Sequence, residues 1–224
     1  MENQLFRRVE TFNTLSSPLE QESLPVLLSS PLANTFVTDS APVGVIQEIN
    51  VRVSSSSDDA EERADGDVSL GSSDLEFVFD QGGDQLTGMR FSNLGIPQGA
   101  TITNAYLQFQ TDEVNTGVAN LTIRGEDVDD ALTFGGNTGN ISSRTTTSAF
   151  VDWAPAAWDT KGEAGFDQRT PDISTIIQEI VNRPDWSSGG AISTIISGFG
   201  ERTAESFDGD ASAAPLLHVE YAIS

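Results

Sequence analysis

Cysteine is absent from the 224 residues, and lysine and histidine occur once each, as Lys161 and His218. The first absence excludes a disulfide scaffold, a thiolate metal site and a cysteine nucleophile. The single imidazole excludes any site that needs two. Cations are scarce as a class: 11 Lys and Arg stand against 34 Asp and Glu, a net charge of −23. A nucleic-acid binder needs a basic footprint to displace phosphate counterions, and this chain has none to offer, so no nucleic-acid partner is expected. Long hydrophobic runs are also missing. Leu24-Pro25-Val26-Leu27-Leu28 falls far short of the ~18–20 apolar residues of a membrane helix, so no transmembrane segment is expected. A standard secretory signal is not expected either: polar Glu10, Thr11, Asn13 and Thr14 follow Arg7-Arg8, where an apolar stretch of ~7–15 residues would stand. The glycine patterns of a serine-hydrolase elbow, a phosphate loop and a dinucleotide fold are absent.

What remains is a turn-rich chain with 20 Gly and 9 Pro. Residues 1–46 read as an irregular leader, because Pro18, Pro25, Pro31 and Pro42 break any long element. Its segment from Pro18 to Ser30 resembles a degenerate LEPR-XLL motif, found near the start of large bacterial surface and secreted proteins; the Glu-Pro-Arg core is missing. From residue 47 to 224 the texture is short alternating strands split by Gly, Asn and Asp. Leu75, Phe77 and Phe79 share one face, as do Leu217, Val219 and Tyr221. Such spacing predicts an all-β antiparallel sandwich of jelly-roll type. One helix, about 171–183, is expected from Ile173, Ile176, Ile177, Ile180 and Val181 at i, i+3, i+4, i+7 and i+8, with Thr170 as its cap, Pro171 at its first turn and Pro184 at its end.

The order of motifs carries a family likeness over about residues 48–222. It runs through Gly71-Ser72-Ser73-Asp74-Leu75-Glu76, Gly88-Met89-Arg90-Phe91 and Ile96-Pro97-Gln98-Gly99-Ala100-Thr101-Ile102. It continues with Pro171-Asp172-Ile173-Ser174 and closes on Ala214-Pro215-Leu216-Leu217-His218-Val219-Glu220-Tyr221. This resembles the DNRLRE-type β-sandwich modules of bacterial extracellular proteins, some of which are carbohydrate-binding modules. The resemblance implies a non-catalytic sandwich outside the cell or at its surface. The stretch from Ile141 to Arg169 departs from the module's usual run.

Three residue classes offer chemistry. Trp153 and Trp158 lie in loop-like text and are candidate platforms for the C–H face of a sugar, or else plugs of the sandwich core. Arg144 and Arg169 are candidate carboxylate readers, or partners of internal acids. Asp58, Asp59, Glu61 and Asp208 are candidate ligands of a structural calcium ion (Ca2+), since the first loop and the last hairpin should meet in a jelly roll; the alternative is a solvated acidic face. His218 sits within a strand and reads as a structural imidazole. The leading expectation is a non-enzymatic module that binds polysaccharide or extracellular matrix, stabilised by calcium. Its rivals are a surface or matrix protein that self-associates with calcium, and a polysaccharide hydrolase or lyase built on a carboxylate pair.

Overall fold

The computed structural model describes residues 45–80 and 83–223. The leader expectation, with its Pro18–Ser30 segment, falls almost wholly outside that range. In chain order the first strands are β1 (Ile46–Arg52), β2 (Asp59–Arg63), β3 (Val68–Ser69), β4 (Asp74–Glu76), β5 (Phe79–Asp80) and β6 (Gly83–Phe91). Then come β7 (Thr101–Gln108), β8 (Asn120–Glu126), β9 (Thr146–Trp153), the helix α1 (Ser174–Val181), β10 (Ile192–Phe199), β11 (Thr203–Glu205) and β12 (Leu216–Ala222). All the strand pairings are antiparallel.

One sheet has the order β1-β12-β7; the larger has the order β3-β2-β6-β10-β8-β9, with β5 paired to β6; β4 and β11 form a separate ribbon. The described residues therefore form an all-β sandwich with one short α-helix. Both sheets send alternate residues into a common core, Leu107, Leu217 and Val219 from the small sheet, Met89, Ile123 and Ile196 from the large one. Burying these side chains is the main favourable contribution to folding, at ~25 cal/mol per Å² of apolar surface.

Alternation breaks once in β7, where Ile102 and Ala105 both point inward although they are three residues apart. The register explains it: Tyr221 pairs with Ile102 and Glu220 with Asn104, so Thr103 is an extra residue in a β-bulge.

The helix buries the isoleucine face the spacing predicts, but it is shorter than expected and is capped differently. Residues 168–173 run alongside β7 with strand-like pairing: Phe109 N–H donates to Gln168 O, Thr170 N–H to Leu107 O and Ile173 N–H to Ala105 O. Thr170 Oγ1 accepts the Leu107 N–H at 3.0 Å instead of capping. Asp172 does the local work, accepting the Ser174 N–H at 2.8 Å. Once formed, the helix links the two sheets. Gln178 bonds Ile102 N and Ala100 O at the start of β7, and Glu179 accepts the Ser148 and Ala149 N–H groups at the edge of β9.

A smaller cluster, Ala60, Phe134, Ile141 and Ile195, lies on the other side of the large sheet. It forms because residues 131–145 fold over that face. Gly88 makes room for it: a Cβ there would stand 2.6 Å from the Phe134 ring. Half of the large sheet's outer face is thereby covered and half is left open, which decides where a ligand could sit.

Candidate functional site

The tryptophans face inward. Trp158 is wholly buried and Trp153 almost so. With Phe77 and Phe109 they form an aromatic cluster with centroid separations of 4.8–6.5 Å. The Trp158 indole N–H donates to Asp167 O at 3.0 Å. The expectation of sugar platforms at these two rings is corrected: they plug one end of the core. For Trp158 the physical reason is a pairing between residues far apart in sequence. Trp158 N–H and C=O pair with Asn115, which draws the loop inward and leaves no ring face to solvent.

Arg144 is committed internally. It pairs with Glu126 at 2.6 Å, donates to the carbonyls of Leu132, Thr133 and Asn140, and lies 4.3 Å from the Phe134 ring centroid. It therefore holds the 131–145 covering loop, and no donor faces a ligand. The neighbouring acids are engaged too: Arg183 pairs with Asp127 and, at 2.8 Å, with Asp129. Arg169 differs. Its Nε donates to Gln108 at 3.0 Å and its guanidinium carbon lies 4.0 Å from the Tyr106 ring centroid, while the side chain stays partly exposed. Tyr106 in turn stacks on His218 at 4.4 Å. His218 Nδ1 is 2.9 Å from Asn50 Oδ1, so the imidazole is a bonded part of the small sheet's outer row.

The open half of the large sheet lies at the end of β8, β9 and β10. In β9, Thr147, Ala149, Val151 and Trp153 turn inward, and Ser148, Phe150 and Asp152 turn outward. Register sets Ser197, Thr122 and Asp152 in one cross-strand row and Arg124 beside Phe150. The Thr122 hydroxyl donates to Asp152 at 2.8 Å, and the Arg124 guanidinium carbon lies 4.7 Å from the Phe150 centroid. A groove of about 490 Å³ runs here, with Asn120, Thr122, Asp152 and Phe199 among its walls. A second groove of about 360 Å³ is lined by Phe166, Asp167, Arg169 and Pro171. Trp153 and Ala154 belong to both. The two grooves share that wall, together called the track below, and each has an exposed phenyl ring on its lining, Phe199 at 58% and Phe166 at 81% exposure. Gly198 (φ +138°) lets the floor close: a Cβ there would meet Asn120 O at 2.2 Å.

Of the four expected ligand-contact residues, the track brings together Trp153, by its edge, and Arg169. Trp158 lies in the core, and Arg144 is held among the carbonyls of the covering loop. Sequence reading missed Phe150, Phe166 and Phe199. A signal for Phe150 was present: it falls in the outward phase of a strand whose inward residues are Ala149, Val151 and Trp153.

The expected calcium ligands are only partly gathered. Ser56 Oγ donates to Asp208 at 2.8 Å and Phe207 N–H to Asp59 at 2.8 Å, so the first loop does meet the β11–β12 connection, which is a crossover between sheets and not the expected hairpin. Burial, and then the charges of Asp208 and Asp58, push the Asp59 carboxyl up to about 7. Asp58 instead pairs with Arg90 at 2.9 Å and accepts the Thr133 hydroxyl. Glu61 turns to Glu76 N–H and Gln85, and burial together with the Glu76 carboxyl pushes it up to about 9. Among the described residues, the group whose carboxylate oxygens all lie within 4.8 Å of one another is Asp74, Asp112 and Glu113, which contains none of the four.

No protein-family model and no curated protein sequence matches the chain.

Proposed function

We propose that the chain is a non-catalytic module, extracellular or at the cell surface, that binds a carbohydrate along the track between Phe199 and Phe166. The observation that carries this reading is the pair of exposed phenyl rings lining grooves that also carry the polar side chains of Asn120, Thr122, Asp152 and Asp167. A pyranose presents an apolar C–H face and a rim of hydroxyls. Phenyl rings suit the face, and Asn120, Thr122, Asp152 and Asp167 suit the rim. Sites of this kind are mostly apolar, with a few polar groups that fix orientation. The charged groups around the track are two carboxylates, Asp152 and Asp167, and one partly exposed guanidinium, Arg169.

Charge narrows the partner. At −23 the chain repels acidic polysaccharides at ordinary ionic strength, so a neutral glycan is the favoured ligand. The test is electrophoresis of the whole chain through native gels cast with neutral or acidic polysaccharides, with chelator present. Retardation by a neutral polysaccharide is expected. Free migration through the whole neutral set would overturn the reading.

A further inference from the structure

We infer that Asp74, Asp112 and Glu113 form a calcium site on the polar face of the β4–β11 ribbon, with Glu205 and the Thr203 hydroxyl as the adjoining oxygens. This does not rest on the glycan reading. In the ribbon, Thr203 pairs with Glu76, and Glu205 with Asp74, so these four side chains share a face; Leu75 and Ala204 turn to the core. Residues 110–112 run along the other side of β11. Thr111 bridges Ala204, Glu205 N–H donates to Gln110 O, and the Asp112 and Glu113 N–H groups both reach Thr203 O. Thr203 therefore lies in register between Glu76 and Asp112, in the middle of the acidic face.

Two independent observations meet there. The first is the convergence of the Asp74, Asp112 and Glu113 carboxylate oxygens, all within 4.8 Å of one another. The second is Thr203. Its side chain is wholly buried and, by register, lies on the face that carries Asp74 and Asp112, yet its hydroxyl has no hydrogen-bond partner. A buried unpaired hydroxyl costs stability and calls for an explanation. A cation seated between it and the carboxylates satisfies both.

The chemistry selects the ion. The donors are all oxygens, with no imidazole or thiolate, which disfavours zinc. Three carboxylates and a hydroxyl on a ribbon and a loop suit the ~6–8 oxygens of calcium better than the strict octahedron of magnesium, which keeps its waters. Lys161, the chain's one lysine, supplies the present counter-charge: Nζ is 2.7 Å from Asp112 Oδ1, and the side chain is 66% exposed, so it can swing away. One ammonium faces four carboxylates.

The test is calorimetric titration of the chelator-stripped full chain with calcium chloride, and separately with magnesium chloride. One saturable calcium site per chain is expected, with magnesium weaker. Glu113→Gln, at an exposed position, and Asp112→Asn should each weaken calcium binding by about tenfold or more. Lys161→Ala should tighten it, and Asp208→Asn should leave it unchanged. No saturable calcium heat up to about 10 mM, roughly ten times the ~1 mM weak end of extracellular calcium modules, would overturn the inference. So would a site lost in Asp208→Asn and retained in Glu113→Gln and Asp112→Asn.

Discussion

Arg202 shows how a scarce cation is used in this chain. It is 1% exposed, and its guanidinium donates to Ala156 O, Pro155 O and Glu201 O at 2.5–3.0 Å. Burial lowers its pKa, offset only in part by the nearby Glu201 charge. Sequence reading expected acids as partners for the arginines. Carbonyls took that role because the 155–156 loop turns its backbone inward above Trp158 and needs donors. Arg202→Met should lower unfolding stability by at least about 2 kcal/mol, since three buried carbonyls lose their partner. Chemical denaturation reads this directly, and a loss within error of zero would contradict it. Residue identity was legible where periodicity speaks, as for His218 and the five helix aliphatics. It failed at Trp158. Whether a loop tryptophan turns in or out depends on the pairing of Asn115 with Trp158, a contact that no local pattern encodes.

At the scale of elements, the helix and its strand neighbours are fitted as one unit. A Cβ on Gly125 in β8 would stand 2.7 Å from Ile180 and 2.8 Å from Ile176. Gly125→Ala should therefore displace α1 and reduce stability by about 1–3 kcal/mol. It should also speed hydrogen exchange of the Ser148 and Ala149 amides, which Glu179 holds. Unchanged protection at those two amides would show that the helix does not depend on this contact. The sandwich and the helix face could be read from the sequence because alternation and 3.6-residue spacing are local. The helix start could not. Residues 168–173 had tertiary partners on β7, and strand-like pairing there displaced the first helical turn that Thr170 and Pro171 suggested.

At the scale of the whole molecule, acidity dominates. Asp59 and Glu205 titrate near 7 and Glu61 near 9 in the folded chain, all raised by burial first. A raised carboxyl means the folded state holds a proton that the unfolded state has released. The contribution of these three groups to stability is then full below about pH 4 and is lost as pH rises through the folded values. Without divalent ions, Tm should drop steadily between pH 5 and pH 9, and a Tm that rises over this range would contradict the assignment. Calcium should lessen the drop by neutralising the face around Glu205. The track between Phe199 and Phe166 is the part of the surface this account commits to. The decisive measurement is retardation in gels cast with the retarding neutral polysaccharide, comparing the parent chain, Phe199→Ala, Phe166→Ala and a Leu132→Ala control at another exposed apolar position. The account predicts that both phenylalanine variants migrate faster than the parent and that the control does not. Equal retardation of all four would place binding elsewhere and contradict it.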